Sequence, residues 1–155
     1  MHRLILGLVF TTLSLSLPAL AQGPSGTADE AKAMLTKAIA AVKADRAKAL
    51  DMFNKGEGGF KDRDLYVFCA NVSDGKFVAH VNPQLIGTDA RTLKDSTGHA
   101  LGQEIYDLGA KAKEGETAAS TPYLFPKPGP DKTPVSKVAF VSKIGDIYCG
   151  VGYYK

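Results

Sequence analysis

This chain of 155 residues carries few of the groups from which catalytic or metal centres are built: two cysteines, three histidines and no block of like charge. There is no Cys-x-x-Cys-His for haem attachment, and no strand-turn-helix pattern sets a serine nucleophile beside a histidine and an aspartate. His80 and His99 are the only histidines beyond the N-terminal segment. They do not share the i, i+4 spacing of a helical metal site, and Asp74 is accounted for by a turn. Neither catalysis nor a resident metal or cofactor is expected.

A second long apolar run is missing as well; the one that exists lies at the start. Met1-His2-Arg3 precedes an apolar stretch from Leu4 to Leu17, which leads into Pro18-Ala19-Leu20-Ala21-Gln22. This pattern is a secretory signal peptide over residues 1–21, with cleavage expected after Ala21 by the small-x-small rule. The run is short for a membrane span, and no cysteine follows the cleavage site to take a lipid. Residues 22–155, about 134 in all, suffice for a single domain with one core. Losing Arg3 takes the formal charge from +3 to about +2, with both signs interspersed, which gives no footprint for nucleic acid. The mature protein is expected to be soluble, without a membrane span, and periplasmic or secreted.

Thr27 followed by Glu30 fits a capping box. Ala31, Met34, Leu35, Ala38, Ile39, Val42, Ala49, Leu50 and Phe53 then recur at helical spacing, predicting one long helix over 27–54 that stops at Gly56. The sheet-forming part runs over 60–155. Leu65 to Ala70 and Phe77 to Val81 flank Ser73-Asp74-Gly75, a strong hairpin signal because glycine adopts positive φ at little cost. A second helix is predicted over 100–113. A strand from Thr117 to Phe125 is predicted at a sheet edge, because Pro122 cannot donate to a ladder. Strands at 135–141 and 147–154 complete the chain. The order implies an α+β domain with one antiparallel sheet and helices packed on it. Gly150 and Gly152 share one face of the last strand, so something must approach that backbone closely, and the long helix is the expected neighbour.

Cys69 and Cys149 both fall inside apolar strand patterns. In an exported chain an even pair points to a disulfide, and two buried thiols are the alternative. By the period of two, Val78, His80 and Asn82 share one face of the return strand, placing an imidazole beside an amide where a small polar ligand could be held.

Leu65-Tyr66-Val67-Phe68-Cys69, Ala79-His80-Val81-Asn82-Pro83, Leu85-Ile86-Gly87, Leu93-Lys94-Asp95 with Gly98, Tyr123-Leu124-Phe125-Pro126-Lys127-Pro128-Gly129 and Cys149-Gly150-Val151-Gly152-Tyr153-Tyr154 occur in this order. Together they resemble the single Cache family, type two, of extracytoplasmic sensing domains. The resemblance implies a PAS-like five-stranded antiparallel sheet in the order 2-1-5-4-3 behind a long N-terminal helix, with Cys69 and Cys149 on adjacent central strands. It further implies a receptor for a small molecule, often a short carboxylate, working with a membrane receptor or sensor kinase in signal transduction such as chemotaxis. On that reading His80 and Asn82 supply donors, Tyr123 and Phe125 an aromatic wall, Lys127 an ammonium, and Lys94 lies in the covering loop. A ligand-free structural or partner-docking role is the alternative.

Overall fold

A computed structural model describes residues 23–155; the expected signal peptide lies outside the described residues. Helix α1, Ala28–Ala44, opens with the capping box: Thr27 Oγ accepts from Glu30 N, and the Glu30 carboxylate accepts from Thr27 N. Its Ala31, Met34, Leu35, Ala38 and Val42 are buried. The single helix predicted over 27–54 is two helices. Asp45 takes extended backbone geometry (φ −158°, ψ 97°), ends α1, and caps α2, Arg46–Lys55, by accepting from Lys48 N. The break redirects α2 so that Phe53 packs edge-on against Phe60, with ring centroids 4.6 Å apart. Gly56 at φ 68° ends α2.

The strands are β1 (Lys61–Asp62), β2 (Leu65–Asn71), β3 (Phe77–Ala79), β4 (Thr117–Ala119), β5 (Tyr123–Pro126), β6 (Pro134–Ile144) and β7 (Ile147–Tyr154). They form one antiparallel sheet. β1 and β3 pair successive stretches of the outer edge of β2; β7 and β6 follow; β4 and β5 share the far edge along β6. The one edge strand expected over 117–125 is therefore interrupted at 120–122. Pro122 has no N–H to donate there, and Ser120 spans the gap, its Oγ accepting from Ala139 N at 3.0 Å. Gly75 supplies the positive φ (71°) of the β2–β3 turn.

The sheet separates two apolar layers. α1 and α2 cover one face, packing on Val67, Cys69, Phe140, Cys149 and Val151 among others. Cys69 and Cys149 are directly opposed on β2 and β7, with Cα atoms 4.0 Å apart, and form a disulfide in this layer. Helix α3, Leu101–Lys111, covers the other face with the long connection from β3, over Phe68, Phe77, Tyr123, Val141 and Tyr148. The close approach expected at Gly150 and Gly152 is not made by the N-terminal helix. Both glycines face the α3 layer, where a Cβ on Gly150 would strike the Phe68 ring and one on Gly152 the Lys137 stem.

Candidate functional site

Between the sheet and α3 lies a cavity of about 30 Å³, lined chiefly by Tyr66, Phe68, Phe77, Leu101, Ile105, Tyr123 and Phe125, with His80 and Lys137 the only side chains there that bear a basic nitrogen. No aspartate or glutamate lines it. Aromatic and aliphatic walls around a few polar groups characterise small-molecule sites.

Lys137 is the central group, and it is not among the residues expected from the sequence. It is 2 % exposed, and Nζ donates to Tyr66 Oη at 3.0 Å and to Tyr154 Oη at 3.3 Å. The rings of Tyr66, Tyr154 and Phe125 surround the ammonium, with centroids 4.3, 4.6 and 5.3 Å from Nζ. Among the described residues no carboxylate lies within 4 Å of it. Burial pulls its pKa down, and the hydrogen bond to Tyr154 and the Asp64 carboxylate offset part of that. Burial also raises the Tyr66 phenol, so both partners remain neutral donors and acceptors near neutral pH. The arrangement is a lysine amine held by rings and hydroxyls, with no carboxylate in contact.

His80 follows the end of β3. Its backbone N–H donates to Asn54 Oδ1 on α2 and its ring Nδ1 accepts from Asn82 N, both at 2.9 Å. An Nδ1 that accepts leaves the ring proton on Nε2, so the neutral imidazole carries one fixed donor. The ring stands edge-on to Tyr66 and Phe77, with centroids 5.2 and 5.5 Å away. Burial, and then the Lys137 charge, lower its pKa to about 4. His80 and Lys137 thus face one cavity as a neutral donor and an amine whose charged form burial disfavours.

The other expected residues divide. Tyr123 and Phe125 line the cavity, their rings edge to face at 6.3 Å. Asn82 does not line the cavity with His80: β3 ends at Ala79, so neither residue continues its alternation. The Asn82 side chain is exposed and accepts from Gln84 N at 3.1 Å, capping the 3-10 turn Pro83–Leu85. Lys127 sits outside the cavity, 3.1 Å from Asp64. Lys94 is exposed and away from it. An outer basin containing Asn82, Gln84, Lys61, Lys127 and Lys132 shares Tyr66, His80 and Phe125 with the inner cavity, so these three form the partition between the two.

One signal for Lys137 was present. In the run from Val135 to Val141 a single lysine occupies the same parity as Ala139 and Val141, which face the cavity layer, so its side chain is carried inward with them. The covering connection is pinned by a second polar group. Asp95 accepts from Thr97 N, His99 N and Leu124 N at 2.8–3.0 Å, and Glu104 accepts from Thr121 N and from the His99 ring. No set of three or more histidine, cysteine, aspartate or glutamate side chains able to hold a metal occurs among the described residues.

An antiparallel sheet with helices on one face and a small cavity beneath a covering helix on the other defines a PAS-like sensor domain. The chain belongs to the Single Cache domain 2 family, whose sequence profile matches residues 17–154. Among solved structures it is similar to a methyl-accepting chemotaxis protein from Vibrio parahaemolyticus RIMD 2210633, with a TM-score of 0.63 and 21% identity over 81% of this chain and 86% of that one. A periplasmic sensor domain of a chemotaxis protein matches with a TM-score of 0.59 and 26% identity, over 81% of this chain and 88% of that one. A Cache chemosensory domain described for carboxylic acid recognition has the same TM-score and identity, over 81% and 86%. A search of curated proteins finds no match.

Proposed function

We propose that this chain is an exported sensor domain that binds a short monocarboxylate in the cavity at Lys137 and passes its state to a membrane receptor or sensor kinase. The observation that carries this reading is the buried Lys137 ammonium, which touches only rings and neutral hydroxyls. A carboxylate would complete the charge pair in a low-dielectric setting, where charge-assisted hydrogen bonds are strong. One oxygen takes the Lys137 N–H and the other the His80 Nε2–H. The relative described for carboxylic acid recognition supports the same ligand class. The N-terminal signal pattern and the disulfide fit an oxidising compartment outside the cytoplasm.

Size and charge set the specificity. The cavity is small, about 30 Å³, and walled by packed rings, so each carbon added to the ligand costs more. An amino acid would bring an ammonium into a site lined by no carboxylate. Thermal unfolding should therefore respond to acetate and propionate and not to succinate, alanine or glycine; a ligand at 100 times its dissociation constant adds about 2.7 kcal/mol. Silence across the panel with the fold intact would reject the sensor reading in favour of a ligand-free docking role. Binding accompanied by turnover would instead make the chain an enzyme.

A further inference from the structure

We infer that Asp64 and Lys127, both outside the cavity, tune the Lys137 site and couple its occupancy to residues 23–26 at the entry to α1. The inference rests on the reading of Lys137 as the carboxylate-binding cation.

Two ammonium groups share one ring. Lys137 Nζ lies 4.6 Å and Lys127 Nζ 5.2 Å from the Tyr154 centroid. Tyr154 Oη accepts from Lys137 and donates to the carbonyl of Pro126, the residue before Lys127, at 2.7 Å. Lys127 in turn pairs with Asp64 Oδ2 at 3.1 Å and donates to Ser25 Oγ at 2.7 Å. Asp64 is buried, and its other oxygen accepts from Gly26 N at 2.7 Å. Arg63 closes the same clasp, donating to the carbonyls of Gly23 and Ser25 at 3.1 Å and pairing with Glu30 at 2.8 Å. A continuous path of contacts thus leads from the cavity cation to the first described residues.

Farther along the path Arg63 is paired with both Glu30 and Asp62, but at the cavity end the charges do not balance. Among the described residues Asp64 is the only carboxylate paired with Lys127, none is paired with Lys137, and the field of Asp64 reaches both. With one carboxylate for two lysines, the Lys137, Lys127 and Asp64 end is net positive when both lysines are charged, and an anion at Lys137 neutralises it. Asp64 is then left to Lys127 and Gly26, so binding tightens the clasp. By reciprocity a tight clasp favours binding.

Acetate is the probe. Calorimetric titration should find Asp64→Asn, which removes a competing negative charge, binding about fivefold tighter, and Lys127→Met, which frees Asp64 to screen Lys137, about fivefold weaker. Both differences should shrink as salt rises. Hydrogen exchange of residues 23–28 should slow on adding acetate in the unaltered protein and not in Lys127→Met. Independently of any ligand, NMR titration of labelled lysine should show the Lys137 midpoint falling in Asp64→Asn and rising in Lys127→Met. Shifts of one sign, or none, would overturn the coupling whether or not acetate binds. Opposite shifts without acetate binding would keep the electrostatic coupling and reject the carboxylate reading.

Discussion

The stem of Lys137 occupies the space where a side chain at residue 152 would stand: a Cβ built on Gly152 falls onto Lys137 Cε. Gly152 lies on β7 opposite Ala139 of β6, and Lys137 is two residues along β6 on the same face. The missing Cβ is what lets an ammonium lie flat across the sheet and reach Tyr66. Gly152→Ala should cost about 1–3 kcal/mol from overpacking. It should also weaken acetate binding, because Nζ is displaced from its hydroxyl partners. Urea unfolding and calorimetry measure the two effects, and unchanged affinity would show that the position of Lys137 does not matter for the ligand.

Removing Lys137 should separate stability from binding. A buried charge without a contacting counterion costs desolvation that an apolar replacement of similar volume avoids. Lys137→Met should therefore melt no lower than the unaltered protein in the absence of carboxylate, and higher if desolvation dominates. It should show no thermal shift with acetate. A lower melting temperature with the acetate response retained would remove Lys137 from the site.

His80 makes stability depend on pH with a definite sign. The unfolded imidazole takes its proton near its ordinary value of about 6.5, whereas burial lowers the folded one to about 4. Between these values the unfolded state binds more protons, so stability falls as the pH is lowered, and the full contribution is present above about 6.5. The loss attributable to His80 by pH 4 is up to about 3 kcal/mol. His80→Gln should flatten this limb of the stability curve relative to the unaltered protein. Parallel curves for the two would show that the imidazole does not titrate in this way.

The Cys69–Cys149 bridge joins residues 80 apart in sequence. In the chain-entropy model a loop of that length contributes roughly 4 kcal/mol through the unfolded state. Double substitution to alanine should lower stability by about 2–5 kcal/mol. Intact-mass analysis of the unreduced protein should find no alkylatable thiol; two would exclude the bridge.

Local chemistry is legible wherever the deciding partners are near in sequence. Thr27 and Glu30 announce the start of α1, Asp74-Gly75 the β2–β3 turn and Gly56 the end of α2, because each acts on its own backbone within a few residues. The break at Asp45 is not legible in the same way. The apolar positions continue at helical spacing through it; Asp45 caps α2 locally at Lys48 N, and the packing of Phe53 on Phe60 and the Asn54 bond to His80 N hold α2 in its new direction. The site divides along the same line. Tyr123 and Phe125 read from their strand, whereas the separation of Asn82 from His80 follows from where β3 stops, at Ala79, ahead of both.

From its residues alone, the chain determines an α+β domain, the capping box at Thr27 and Glu30, the turn at Asp74-Gly75, and two cysteines within strands. The tertiary structure decided which cation is buried. A lysine in a strand reads as solvent-facing until the ring wall and the bare backbone at Gly152 are assembled around it, and those come from β2, β5 and β7, brought together only by the fold. Periodicity tells which side of a strand a residue takes; what waits on that side is set by contacts between distant parts of the chain.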